Sequence, residues 1–220
     1  MHPIVNEYRR QHIVELHARS DAQTEGIQQY FTERVRKGDL DWTQLDADAS
    51  AFFADKLVAL DPVKASYVHG VCIAVGATRV VEVGTSFGVS TLYLADAVET
   101  NGGGVVIATE HEQEKAAFAR QSFLSAGLHE LIDLKEGDLK ETLRDIEGPI
   151  DFVLMDIWTE MVVPAMELIS PHLREGAVVI ADNTIDFAKA YSDYFDFLEQ
   201  NDFWTQTLPF EGGLEFSIKR

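Results

Sequence analysis

Five short apolar runs alternating with helical stretches restrict the architecture of this chain more than any other feature. They are RVVEVG (79–84), VVIATE (105–110), LIDLKEG (131–137), DFVLMD (151–156) and AVVIADN (177–183), with segments of helical character at 87–98, 112–126, 139–146 and 160–173. Strands that alternate with helices build βαβ units and hence a parallel sheet. Most of the runs are continuously apolar rather than alternating, as expected when helices cover both sheet faces. The end of the chain departs from this pattern. After a helix expected at 186–201, FWTQTLPF and GLEFSIKR flank Glu211-Gly212-Gly213. Gly-Gly is hairpin chemistry, so the sheet is predicted to finish with an antiparallel strand.

Upstream, residues 5–37 place apolar side chains at roughly helical spacing, with a capped break at Ser20-Asp21 and a stop at Gly38-Asp39. A third helix is predicted over 49–58 with Asp48 as its N-cap, and a fourth over 63–75, entered at Pro62 and ended by Gly76. The 220 residues suit one α/β domain with a short extension. Residues 1–40 balance six acids with six bases, so the whole net charge of −19 lies in the rest of the chain. That excludes a nucleic-acid binder, which needs clustered Lys and Arg. No apolar run reaches the ~20 residues of a membrane span. The N-terminal residues lack the apolar core of a signal peptide. The single cysteine, Cys72, rules out an internal disulfide. A cytoplasmic protein with no membrane contact is therefore expected.

In an open α/β sheet, ligands bind beyond the carboxyl ends of the strands. Every predicted strand end here carries an acid: Glu82, Glu110, Asp138, Asp156 and Asp182, the last followed by Asn183. The first end leads into Gly84-Thr85-Ser86-Phe87-Gly88, which has glycines for a sharp turn but is not GxGxxG. Glu82 is ill suited to a pyrophosphate and better suited to an amino-bearing ligand. Ser90 and the adjacent helix N-terminus suit a carboxylate. Glu110 stands where an acid accepts ribose hydroxyls in dinucleotide folds, and Asp138 could accept an adenine amino group. Amino acid, ribose and adenine together describe S-adenosylmethionine. NAD would use Glu110 equally, and only the glycine loop separates the two. Asp156, Asp182 and Asn183 would bring two carboxylates and an amide oxygen together at neighbouring strand ends. A hard divalent cation, Mg²⁺ or Ca²⁺, would relieve their repulsion; the alternative is that Asp182-Asn183 is simply a turn dipeptide.

These residues resemble the class I S-adenosylmethionine-dependent O-methyltransferases of the catechol and caffeoyl-CoA type. The resemblance rests on VVEVGTSFGVSTL, Glu110, FVLMDIW, IADN, the closing GLEFSIK and the approach segment LDPVKASYVHGV. It covers residues 58–220, the expected methyltransferase domain. Residues 1–57 match only in being helical, and the family uses that region for substrate gating or dimer contacts, so a homodimer is a further expectation. The resemblance implies a Rossmann-like, seven-stranded, mostly parallel sheet of order 3-2-1-4-5-7-6 with strand seven antiparallel. It implies cofactor contacts from Leu60 or Val63, Glu82, Gly84, Thr85, Ser90, Glu110, Asp138 and Asp156. It implies Mg²⁺ or a similar ion on Asp156, Asp182 and Asn183, with Asp156 acting in metal-assisted catalysis, and Trp158 at the boundary between cofactor and acceptor. The implied reaction is methylation of a hydroxyl on a small, aromatic, vicinal diol. In the catechol enzymes a lysine directly after the tryptophan serves as general base; here that position is Thr159, whose hydroxyl cannot replace an amine. His111 and Lys189 are the other groups considered for that role. Phe187 is placed to touch an aromatic acceptor, whereas Tyr191, Tyr194, Phe195 and Leu198 read as core. No HxxxH spacing calls for zinc, and GTSFG is not the GxSxG elbow of hydrolases. The competing functions are a metal-independent methyltransferase, a nicotinamide oxidoreductase and a non-catalytic cofactor-binding protein.

Overall fold

The structure, a computed structural model, describes residues 2–38 and 46–220; Asp39, expected to help end the second helix, lies outside them. The strands are β1 (Arg79–Val83), β2 (Val105–Glu110), β3 (Ile132–Glu136), β4 (Ile150–Met155), β5 (Leu173–Asp182), β6 (Phe203–Leu208) and β7 (Leu214–Lys219). They form one sheet of order β3-β2-β1-β4-β5-β7-β6, parallel except where β7 pairs antiparallel with β5 and β6. The expected order and the antiparallel seventh strand are both present.

The continuous apolar runs are accounted for by two cores, one on each face. Val80, Val106, Phe152, Leu154, Val178 and Ile180 enter one core, while their neighbours Val81, Ile107, Val153, Met155, Val179 and Ala181 enter the other. A strand alternates its side chains, so only a sheet covered on both sides buries every residue of such a run. The first core is closed by helices α1 (Glu7–Asp21), α4 (Pro62–Ala74), α5 (Val89–Thr100) and α6 (Gln113–Ala126). The second is closed by α7 (Leu139–Thr142), α8 (Val162–Ile169) and α9 (Ser192–Gln200). Ile4, Ile13 and Leu16 belong to the same core as the sheet. Each such burial stabilises by about 1.5–3 kcal/mol, so the N-terminal segment is tied to the sheet.

Helices α2 (Thr24–Lys37) and α3 (Ala47–Phe53) complete the chain. Several local expectations need correction, among them the helix expected over 49–58, which ends at Phe53, and that over 139–146, which ends at Thr142. Helix α1 runs through Asp21 before it breaks. The N-cap of α3 is Asp46, whose side chain accepts from the Ala49 N–H, so the cap lies two residues before Asp48. The helix expected from 186 begins only at Ser192, because 185–191 is a series of turns. At the far end of the sheet, Asp151 accepts from the backbone N–H of Thr78 (2.8 Å) and Arg79 (2.9 Å) and from Arg174 Nε (2.7 Å). It thereby ties β1, β4 and β5 together below the site.

Candidate active site

A cavity of about 600 Å³ lies across the carboxyl ends of β1 to β5. Its floor carries Gly84, Thr85, Ser86 and Ser90 from the β1 loop and α5, Glu110 from β2, Asp138 before α7, Asp156 after β4, and Asp182 and Asn183 at β5. Leu60, Trp158, Thr159 and Phe187 also line it. Of the residues singled out in the sequence, Glu82 and Val63 are placed differently. Val63 stands exposed on the first turn of α4. Glu82 is fully buried, with its carboxylate accepting from Thr85 Oγ1 (2.9 Å) and Thr91 Oγ1 (2.5 Å). Burial raises its pKa against the opposing effect of those bonds. Glu82 therefore pins the glycine loop to α5 from beneath.

The loop is held closely on all sides. Gly84 has φ +96°, and a Cβ there would sit 2.0 Å from the Asp156 carbonyl oxygen. Only glycine lets the β1 and β4 ends meet so closely. Glu110 accepts the backbone N–H of Ser86 (2.7 Å) on one carboxylate oxygen and that of Glu112 (2.8 Å) on the other. Each oxygen keeps further acceptor capacity toward the cavity. Asp138 caps α7 through the Lys140 N–H.

The acids at β4 and β5 form the electrostatic centre. Burial, followed by the nearby Asp182 and Glu82 charges, raises the Asp156 pKa. Burial raises that of Asp182 also, opposed by Lys64. Lys64, on α4, places its Nζ 2.5 Å from Asp182 Oδ1 and 3.4 Å from Asn183 Oδ1. Tyr191 donates its hydroxyl to the Asp182 carbonyl (2.8 Å), fixing the backbone of this strand end. Asn183 adopts φ +59°, a left-handed conformation that asparagine tolerates and that turns the chain directly after β5. The remaining Asp182 oxygen, the Asp156 carboxylate and the Asn183 amide oxygen make an all-oxygen donor set, chemistry that fits a hard divalent cation. Asp156 accepts no hydrogen bond from the described residues, which leaves its carboxylate open to such a partner.

The roof comes from the N-terminal helices. Ile27, Phe31, Ala49 and Phe53 face the cavity, and the Phe53 ring meets that of Trp158 edge-on at 5.6 Å. Sequence periodicity marked this region as helical but gave no sign of which aromatics reach the site. Lys64 and Lys115 were also missed. Lys115 lines the cavity beside Glu110, and burial lowers its pKa. A lysine inside an apolar helix, three residues after the Asp61 cap, was the available signal for Lys64. Of the two groups considered in place of a lysine at 159, His111 lines this cavity, whereas Lys189 lines a second pocket of about 380 Å³ beyond Thr159 and Glu160.

Comparison with known proteins agrees with this arrangement. Residues 81–184 match a family described as a methyltransferase domain. The chain is 31% identical over 143 residues to a catechol O-methyltransferase of Mycobacterium tuberculosis (strain ATCC 25618 / H37Rv), covering 62% of this chain and 64% of that protein. It is 26% identical over 144 residues to a catechol O-methyltransferase of Niastella koreensis, covering 62% of each. The chain thus spans less than two thirds of the length of these curated relatives. Among solved structures, TomG from Streptomyces achromogenes, an O-methyltransferase in complex with SAM, superposes with a TM-score of 0.69 at 21% identity, covering 79% of this chain and 86% of that one. An O-methyltransferase from Bacillus cereus in complex with SAH gives 0.68 at 20% identity, covering 74% and 83%. The resemblance read from the sequence is borne out by these similarities: residues 81–184 match the methyltransferase-domain family, and the chain shares its fold with solved O-methyltransferases.

Proposed function

We propose that this protein is an S-adenosylmethionine-dependent O-methyltransferase acting on a hydroxyl of a small, flat acceptor, an aromatic vicinal diol. The observation that carries this reading is the single cavity running from Glu110 and Asp138 past Gly84 to Asp156 and Asp182, beneath Phe31, Phe53 and Trp158. Glu110 would accept the ribose hydroxyls, Asp138 the adenine amino group, and the Gly84–Ser86 backbone and Ser90 would hold the amino acid end. Trp158 would separate that end from the acceptor. The names of the curated relatives, catechol O-methyltransferases, support the acceptor class.

Asp156, Asp182 and Asn183 would hold Mg²⁺ or a similar ion. Bound there, a divalent cation would favour the ionised form of an acceptor hydroxyl. The chain's own contribution is then positional: aromatic walls orient the ring, and the strand ends fix the hydroxyl in line with the methyl donor. No side chain is assigned as general base. Residues 1–57 would act as a gating extension or dimer contact for the methyltransferase domain at 58–220. No helix among the described residues is long and apolar enough to cross a membrane, and a cytoplasmic enzyme is proposed. A metal-independent transferase is a second reading, favoured by the buried ion pair between Lys64 and Asp182.

Calorimetry with S-adenosylhomocysteine, followed by methyl transfer to a panel of catechols with and without EDTA, tests these readings. Stoichiometric binding with EDTA-sensitive turnover is expected. EDTA-insensitive turnover would select the second reading, and absence of S-adenosylhomocysteine binding would overturn both.

A further inference from the structure

The strand-end acids of β4 and β5 carry a compensating charge from within the chain. Lys64 is only 3% exposed. Its first helical turn is fixed by Asp61, which accepts from the N–H of Val63 (2.8 Å) and Lys64 (3.1 Å). From there the ammonium reaches Asp182 Oδ1 and Asn183 Oδ1. Gly212 makes room for this meeting. A Cβ at Gly212 would lie 2.7 Å from Asn183 Oδ1, 3.2 Å from Asp186 Oδ2 and 3.5 Å from Lys64 Nζ. Three separate segments of the sequence, in α4, after β5 and before β7, thus converge on one buried ammonium.

We infer that Lys64 is a resident cation and positioning residue: it holds Asp182 and Asn183 in place without a divalent ion, and it opposes any divalent ion that binds beside it. The inference deepens the functional reading above, since it concerns the same strand ends. Two physical arguments carry it. A buried carboxylate such as Asp182 is tolerated only with a partner, and Lys64 is the cation that touches it. A divalent ion sharing Asp182 and Asn183 would sit within a few ångströms of the ammonium, where like charges repel strongly. Removing the ammonium therefore transfers the task of neutralisation to the divalent ion.

The test measures Mn²⁺ binding by electron paramagnetic resonance, and melting temperature in EDTA and in Mn²⁺, for wild type, Lys64→Met and Lys64→Arg. Wild type should melt within about 2 °C in the two conditions. Lys64→Met should melt ~5 °C or more below wild type in EDTA, regain most of that loss in Mn²⁺, and bind Mn²⁺ about tenfold more tightly. Lys64→Arg keeps the charge and should remain as insensitive to EDTA as wild type. The inference is overturned if Lys64→Met binds Mn²⁺ no more tightly than wild type, if neither protein binds it, or if wild type itself loses ~5 °C or more in EDTA. Should Lys64→Met fail to fold in both conditions, wild type and Lys64→Arg decide, because EDTA sensitivity in either refutes the inference and insensitivity in both supports it. S-adenosylhomocysteine calorimetry on wild type runs alongside. Its failure would remove the methyltransferase reading while leaving the measured role of Lys64 intact.

Discussion

Replacing one glycine by alanine should have opposite consequences at two positions of this chain, and the geometry gives both signs. Gly70 lies on the exposed side of α4, and a Cβ there meets nothing within 4 Å. Gly70→Ala removes the backbone freedom of glycine from a helix interior and should stabilise by about 0.5–1 kcal/mol. Gly84→Ala adds the same methyl group at φ +96°, 2.0 Å from a backbone carbonyl oxygen. The left-handed conformation alone costs about 1–2 kcal/mol. The contact cannot be relieved by a rotamer change, because both partners are backbone. The ends of β1 and β4 must separate, which strains the Asp156 N–H to Val83 O bond (3.0 Å). Overpacking of this kind costs about 1–3 kcal/mol, and the lost hydrogen bond about 1 more. Gly84→Ala should therefore destabilise by roughly 3–6 kcal/mol, or about 10–15 °C in melting temperature for a chain of this size. Urea unfolding at neutral pH measures both variants against wild type. S-adenosylhomocysteine calorimetry below the unfolding range should show a further loss for Gly84→Ala only. The reasoning fails if Gly84→Ala lies within ~0.5 kcal/mol of wild type, or if both substitutions shift stability in the same direction.

Four further outcomes follow. The Asp151 pKa is held down despite burial, by the N–H groups of Thr78 and Arg79 and by Arg174. Its stabilisation is thus present above the ordinary carboxylate pKa and is lost as pH falls through the lowered one. Asp151→Asn should cost about 1–3 kcal/mol at pH 7, a difference that urea unfolding should find much reduced near pH 2. Cys72 is fully buried, with its thiol pushed up to about 12 by burial and by Asp151, so a thiol reagent should label it only after unfolding. Phe53→Ala should raise the acceptor KM about tenfold while leaving S-adenosylhomocysteine affinity within about twofold, since Phe53 meets Trp158 on the roof; equal losses for both ligands would contradict that placement. Thr159→Lys places an amine where the catechol enzymes carry one, and should raise catechol turnover by about tenfold or more in steady-state assays.

The sheet was legible because its signal is local. Each apolar run is bounded by its own turn residues, and continuous rather than alternating patterning already implied two covered faces, as the split of Val80 and Val81 into opposite cores confirms. Cap and helix boundaries were less legible. Asp46 and Asp48 offer the same side chain two residues apart, and only the backbone geometry shows that Asp46 receives the Ala49 N–H. The turns at 185–191 had apolar spacing that mimics a helix, yet the N–H groups of Ile185 and Asp186 bond to Gly212, which ties that segment to the β7 approach.

At the site, what could be read were the groups that sit at strand ends, because strand position alone places them. Glu110, Asp138, Asp156, Asp182 and Asn183 reach the cavity for that reason. Glu82 shows the limit of the argument. It lies within β1, one residue before the strand ends and, in register with Ala108 and Leu154, two residues below Glu110 and Asp156, and its side chain turns under the loop toward Thr85 and Thr91. Lys64 shows a different limit: it lies 118 residues from Asp182, so no spacing rule could pair them. Its place among the apolar residues of α4 was the visible anomaly. A lysine buried in a helix must find a carboxylate, and the strand-end acids facing α4 were the groups able to answer it. The roof follows the same logic in reverse. Phe31 and Phe53 look like ordinary helix-face residues, and only the fold, which brings α2 and α3 over the sheet ends, gives them a cavity to line. On the proposed function, acceptor choice would depend on the part of the chain least resembling the family, while the methyl-donor half would depend on strand ends that could be read directly. Substitutions in the two parts should accordingly separate acceptor KM from S-adenosylhomocysteine affinity.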